Sequence, residues 1–187
     1  MITINENQLR EAEVLLRSIP GGINKAIAAA LNRAAEGGRT DVSRKARERY
    51  HVKSKDITST IRLTKAAPDN LSAIVLSSGR PLALTKFKVT PSKPPQKKRT
   101  NPIIARVVKG EGGQIRGAFV ARMQSGHVGV FHRAGQSRYP IIQRYGPSVP
   151  QMLGHRSVTE YVEQRAQEQL EARLDHEIGR LLRGARR

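Results

Sequence analysis

Apolar residues recur at helical spacing at both ends of the chain and at strand spacing in its middle. Leu9, Ala12, Leu15 and Leu16 share one face of a helix predicted over residues 6–17. Asn5 can cap its start, and Pro20-Gly21-Gly22 breaks the run. A second helix is predicted from about Ile23 to Tyr50, with Ile23, Ala26, Ile27, Ala30, Leu31 and Ala34 on its apolar face. Its alanines allow close packing against a neighbour. Gly37-Gly38 falls in the middle, and two glycines cost a helix about 1 kcal/mol each relative to alanine. They mark either a kink or a real break. Beyond them Val42, Ala46 and Tyr50 share a face, while Arg44, Lys45, Arg47 and Arg49 lie mostly elsewhere. That half is either a basic helix facing a polyanion or a solvated face.

Shorter periods follow. Ser54 can cap a short helix carrying Ile57 and Ile61 four residues apart. Residues 62–66 and 71–77 are expected as strands around a Pro68-Asp69-Asn70 turn, and 102–108 as another. Residues 88–100, K-V-T-P-S-K-P-P-Q-K-K-R-T, hold three prolines, five basic residues and no acid. They are expected as an exposed loop or extended arm, neither strand nor helix. Residues 117–150 are predicted to form two or three short strands, with turns at Ser125-Gly126 and Ala134-Gly135. Tyr139-Pro140-Ile141-Ile142 is the last of them. Phe119, Phe131, Tyr139 and Ile141 are expected in the sheet core, and the arginines of this stretch on one side of the sheet. Gly146, Pro147 and Pro150 should shape the turn into the final helix.

In that helix Val158, Val162, Ala166, Leu170, Leu174, Ile178 and Leu182 repeat every four residues, with Ser157 or Thr159 as candidate caps. On a helix of 3.6 residues per turn a four-residue step drifts by about 40°. The stripe therefore wraps, and must meet more than one surface or be covered partly by another chain. Helices, then strands, then a long helix make an α+β fold: a small, mostly antiparallel sheet flanked by a long N-terminal and a long C-terminal helix. The 187 residues suit a single domain with an extended basic loop.

Charge sharpens this picture. The net charge is +19, and residues 70–157 carry 15 basic side chains against one acid, Glu111. A nearly acid-free block of that size attracts polyanions, either nucleic acid or an acidic protein surface. The apolar share is 37% with no tryptophan, so the core is small, and some apolar surface is expected to be buried on assembly. The absence of cysteine excludes disulfides, thiolate metal sites and a cysteine nucleophile. No apolar run reaches the roughly 18 residues a membrane span requires, and the N-terminus lacks the pattern of a secretory signal.

Enzyme chemistry finds no support. His51, His127, His132, His155 and His176 show no metal-ligand spacing. One carboxylate in the basic block leaves no pair for acid–base work or for holding Mg²⁺. No G-x-S-x-G or phosphate-loop pattern occurs, and no cofactor is expected. Zinc-finger, helix-turn-helix and aromatic stacking signatures are missing as well. What remains is sequence-independent attraction to phosphates.

Four spaced motifs, G-A-F-V-A-R-M (117–123), G-H-V-G-V-F-H-R (126–133), R-Y-P-I (138–141) and G-P-S-V-P (146–150), resemble the signature of the minor tail protein Z family of long-tailed bacteriophages and prophages. A-L-N-R (30–33), V-K-S-K-D-I (52–57), the basic loop and the long last helix are similar too. The resemblance implies a structural virion protein at the head-proximal end of the tail, assembled in the host cytoplasm and needed for tail completion and head–tail joining. It implies a homo-oligomeric ring of six copies, with other tail and neck proteins and the phage DNA as partners, and no catalytic residues. Lys93, Lys97, Lys98 and Arg99 are the candidates for polyanion contact, with Arg116, Arg122, Arg133, Arg138 and Arg144 behind them. The alternative is a free, sequence-independent nucleic-acid-binding protein of the bacterial cell.

Overall fold

A computed structural model describes residues 6–96 and 101–185. Three helices come first: α1 (Glu6–Leu15), α2 (Gly22–Arg49) and the short α3 (Ser54–Thr58). Ten strands follow: β1 (Ile61–Thr64), β2 (Ile74–Ser77), β3 (Pro81–Ala83), β4 (Lys88–Thr90), β5 (Ile103–Arg106), β6 (Gly113–Ile115), β7 (Ala118–Arg122), β8 (Val128–Arg133), β9 (Ile141–Gln143) and β10 (Tyr145–Ser148). A 3-10 turn, Leu84–Lys86, separates β3 from β4, and α4 (Val149–Leu153) and α5 (Arg156–Ala185) complete the order. This is the expected α+β class. Every strand pair is antiparallel, but the strands fall into four small sheets rather than one.

The chain divides into two units. The first takes residues up to 45, 61–77 and 155 onward. Its core joins Ala12 and Leu16 with Ala26, Ile27, Ala30 and Ala34 of α2 and Leu170, Leu174 and Ile178 of α5. Leu170, Leu174 and Ile178 of the wrapping stripe of α5 thus meet residues of both preceding helical segments. α2 runs unbroken through Gly37-Gly38. Gly37 is where α5 approaches, and a Cβ there would run into the Gln169 amide. That amide donates to Asp41 at 2.8 Å, and Asp41 also accepts from Arg44 at 2.8 Å. Two donors satisfy a carboxylate that is only 5% exposed. Arg44 further donates to the Tyr161 hydroxyl, and the Lys45 ammonium lies 4.8 Å from the Tyr161 ring centre.

In the same unit β1 pairs with β2, with Leu63 opposite Val75 and Arg62 opposite Leu76. The Asn32 side chain bonds both backbone groups of Ala66, donating at 2.9 Å and accepting at 2.7 Å, which ties the segment after β1 to α2. β2 is shorter than the predicted 71–77, and its Ile74, Val75 and Leu76 are all exposed. Neither Ser157 nor Thr159 caps α5. The helix starts earlier, and His155 takes that place, its carbonyl accepting from Val158 and Thr159 and its Nδ1 from the Ser157 N–H. Asn5, the expected cap of α1, lies outside the described residues.

The second unit takes residues 46–60 and 78–154. β4, β5 and β6 form one meander and β7, β8 and β9 another, and β10 pairs with β3. β4 corrects the expectation for residues 88–100. Lys88, Val89 and Thr90 pair with Arg106, Ala105 and Ile104, because the prolines begin only at Pro91 and Val89 has a core to enter. The strands expected over 117–142 are present, but Tyr139 and Pro140 precede β9 rather than starting it. Phe131 is buried, Phe119 and Ile141 are half-buried, and Tyr139 is 65% exposed, outside any core. Ser54 opens α3 but makes no cap, since Lys53 occupies the N-cap position. The turn into α4 is built by a reciprocal box: the Ser148 hydroxyl accepts from the Gln151 N–H, and the Gln151 side chain accepts from the Ser148 N–H at 2.8 Å. Pro150 follows inside the first turn. Gly146 is needed for space, as a Cβ there would stand 2.6 Å from the Phe87 ring.

Candidate polyanion-binding surface

The second unit concentrates the charge. It carries 18 of the 34 basic and 3 of the 15 acidic side chains, which sets where a polyanion is drawn. Among the sequence candidates, Lys93 is exposed just beyond β4. Lys97, Lys98 and Arg99 lie outside the described residues. Arg116 occupies the turn before β7, Arg138 the loop before β9, and Arg144 the step between β9 and β10, all exposed.

Arg122 and Arg133 end their strands on opposite faces. Arg122 pairs with Val128 and so shares the face of Val120 and Val130; Arg133 pairs with Ile141 and shares the face of Phe119 and Phe131. The one-sided arrangement expected from sequence does not form, because these two arginines differ in strand parity. Arg133 stacks its guanidinium 5.9 Å from the Phe119 ring centre, and Arg138 lies 5.6 Å from that of Tyr139. No carboxylate pairs with these five arginines among the described residues.

A second set of cations converges where sequence alone did not point. Beyond the last turn of α2 the backbone leaves the helix and pairs with the stretch after β5. The His51 N–H donates to the Val107 carbonyl at 2.8 Å, and the Lys109 N–H to the Arg49 carbonyl at 2.7 Å. Lys86 and Lys88 flank the buried Phe87. These three stretches line an open cleft of about 310 Å³ whose walls carry Arg47, His51, Lys53, Lys86, Lys88 and Lys109. Tyr50, Val52 and Phe87, each at most 8% exposed, also line it. Lys86 is matched by Asp56 at 2.7 Å. Arg47, Lys53, Lys88 and Lys109 have no ion pair among the described residues. Burial first, then Lys88, Lys109 and Arg106, hold His51 below its ordinary imidazole range, which favours the neutral ring.

The basic helix half left open by sequence splits accordingly. Arg44 and Lys45 turn to Tyr161, while Arg47 reaches the cleft. The one available signal for the cleft was Lys86 and Lys88 around an apolar Phe87, an alternation that aims both lysines away from the core. Among the described residues no group of three His, Asp or Glu side chains is placed to hold a metal ion. No described helix is long and apolar enough to cross a membrane.

The family model for prophage minor tail protein Z (GPZ) matches residues 8–186. The chain belongs to this family. The match spans both units and covers the four motifs of residues 117–150, which map onto β7 to β10 and the start of α4. As a minor tail protein Z family member it is a phage minor tail protein and a component of the virion. No curated protein and no solved structure matches it.

Proposed function

We propose that this minor tail protein assembles as a homo-oligomeric ring at the head-proximal end of the tail, completes the tail for joining to the head, and offers a cationic surface to the DNA that passes. It does so as structure, without catalysis. The observation that carries the reading is the charge of the second unit: 18 basic side chains against Glu48, Asp56 and Glu111, with Asp56 already engaged by Lys86. A field of that sign suits a surface that meets phosphates or acidic neighbours during assembly. Three carboxylates are a poor basis for hydrolytic chemistry.

The exposed apolar residues of β2 support assembly with further copies. An edge strand carrying Ile74, Val75 and Leu76 in water is a pairing hazard for a chain that stays alone. The deciding experiment is a phage or prophage lysate lacking this chain, imaged by electron microscopy. Full heads and separate, finished-length tails are expected, with joining restored by adding the purified protein. Normally joined, infectious particles without it would sink the proposal. Averaged images of the joined region show whether the copies close into a ring.

A further inference from the structure

We propose that the cleft between the end of α2, the Lys86–Lys88 segment and Lys109 is a phosphate-binding site for a nucleic-acid backbone. The inference rests on the DNA-facing reading above only for the source of the phosphate. Arg47, Lys53, Lys88 and Lys109 bring four cations to one concavity without a carboxylate to offset them. A single carboxylate supplies one charge, which leaves most of that field unmatched. A nucleic-acid strand supplies one charge per about 3.4 Å of its length and can answer several of these cations in turn. At about 310 Å³ the cleft sits at the small end of ligand pockets, which run from about 300 to 1,000 Å³. It has room for a phosphodiester group.

The lining rings argue the same way. Tyr50 and Phe87 are buried in the unit's own packing, so neither offers a face to a base. Recognition is therefore by charge and shape of the backbone, independent of sequence. His51 adds a coupling. Burial, Lys88, Lys109 and Arg106 favour its neutral form, and the other charges on the cleft walls are Arg47, Lys53 and the Asp56-paired Lys86. An anion seated among these cations offsets them and favours the imidazolium, so binding takes up a proton and strengthens as pH falls through the histidine range.

The test uses the full-length chain with sulfate, which does not titrate near neutrality, as the tetrahedral oxyanion probe. A short DNA duplex and poly-glutamate are the competitors. The paired substitution Lys88→Gln and Lys109→Gln removes two exposed cations; Lys53→Gln is a second, independent variant, and circular dichroism checks each fold. Sulfate affinity is expected to fall about tenfold or more in the pair, DNA to displace sulfate, and the slope of log Kobs against log salt for DNA to shrink by about two. Sulfate binding unchanged in both variants overturns the site. Displacement by poly-glutamate and not by DNA overturns the nucleic-acid occupant in favour of an acidic protein. Sulfate binding lost in the variants with no competition from DNA keeps the phosphate site and overturns its DNA source. Particles that still join when built with the paired variant leave the ring proposal standing, so the two fail separately.

Discussion

Gly37 and Gly38 are neighbours in α2 and respond differently to substitution. A Cβ at Gly38 meets nothing within 4 Å, so Gly38→Ala is expected to stabilise by about 0.5–1 kcal/mol through helix propensity and unfolded-state entropy. Gly37→Ala gains the same but displaces Gln169, taking one donor from the buried Asp41. A hydrogen bond to a charged group is worth about 1.5–3 kcal/mol, so the net effect is destabilising. Urea midpoints of the two variants decide it; identical shifts would mean that Gln169 swings aside freely. His51 makes a prediction with a definite sign. Its folded-state value lies below its ordinary 6.5, so its contribution is present above that pH and is lost as pH falls toward the folded value. Wild type should therefore lose more stability than His51→Gln between about pH 7 and 5. Denaturant midpoints at those two pH values, giving equal losses for both proteins, would refute the neutral assignment.

The long helices show how a periodic stripe finds its partners. Leu174 is fully buried between α5 and the segments contributed by α1 and α2. Leu174→Ala is expected to destabilise by about 2–5 kcal/mol, read from chemical unfolding. Val162→Ala, on the same stripe but only half-buried, should cost about 1 kcal/mol or less. A reversed order would mean that the stripe is covered elsewhere. The helices were readable because a 3.6-residue period repeats over nearly thirty residues. The strands were harder. β3, β4 and β6 are three residues long, too short for alternation to declare itself, and β3 pairs only with β10, some sixty residues on.

For the molecule as a whole, charge is the property with the longest reach. Replacing Lys93, Lys97, Lys98 and Arg99 with glutamine removes four cations from the acid-poor block. Head–tail joining and DNA delivery are expected to fall about tenfold or more at low salt, with the difference from wild type narrowing as salt rises. Full infectivity of such particles would show that the charge of these four residues has no part in the function. The exposed strand β2 belongs to the same scale. Its Ile74, Val75 and Leu76 present contiguous apolar surface in water.

Sequence by itself determined the helical ends, the α+β order, the family and the sign of the field, since each depends on residues close in the chain or on composition. Tertiary structure decided what those elements do together. It kept α2 whole at Gly37-Gly38 by giving Gln169 a place beside it, and it used the drifting stripe of α5 to meet two partners within the chain. Strand register sent Arg122 and Arg133 to opposite faces, because parity along a strand, not proximity in sequence, sets the side of a sheet. It also gathered Arg47, Lys53, Lys88 and Lys109 into one cleft. Those positions span more than sixty residues, and backbone pairing of β4 with β5 and of the end of α2 with the stretch after β5 brings them together.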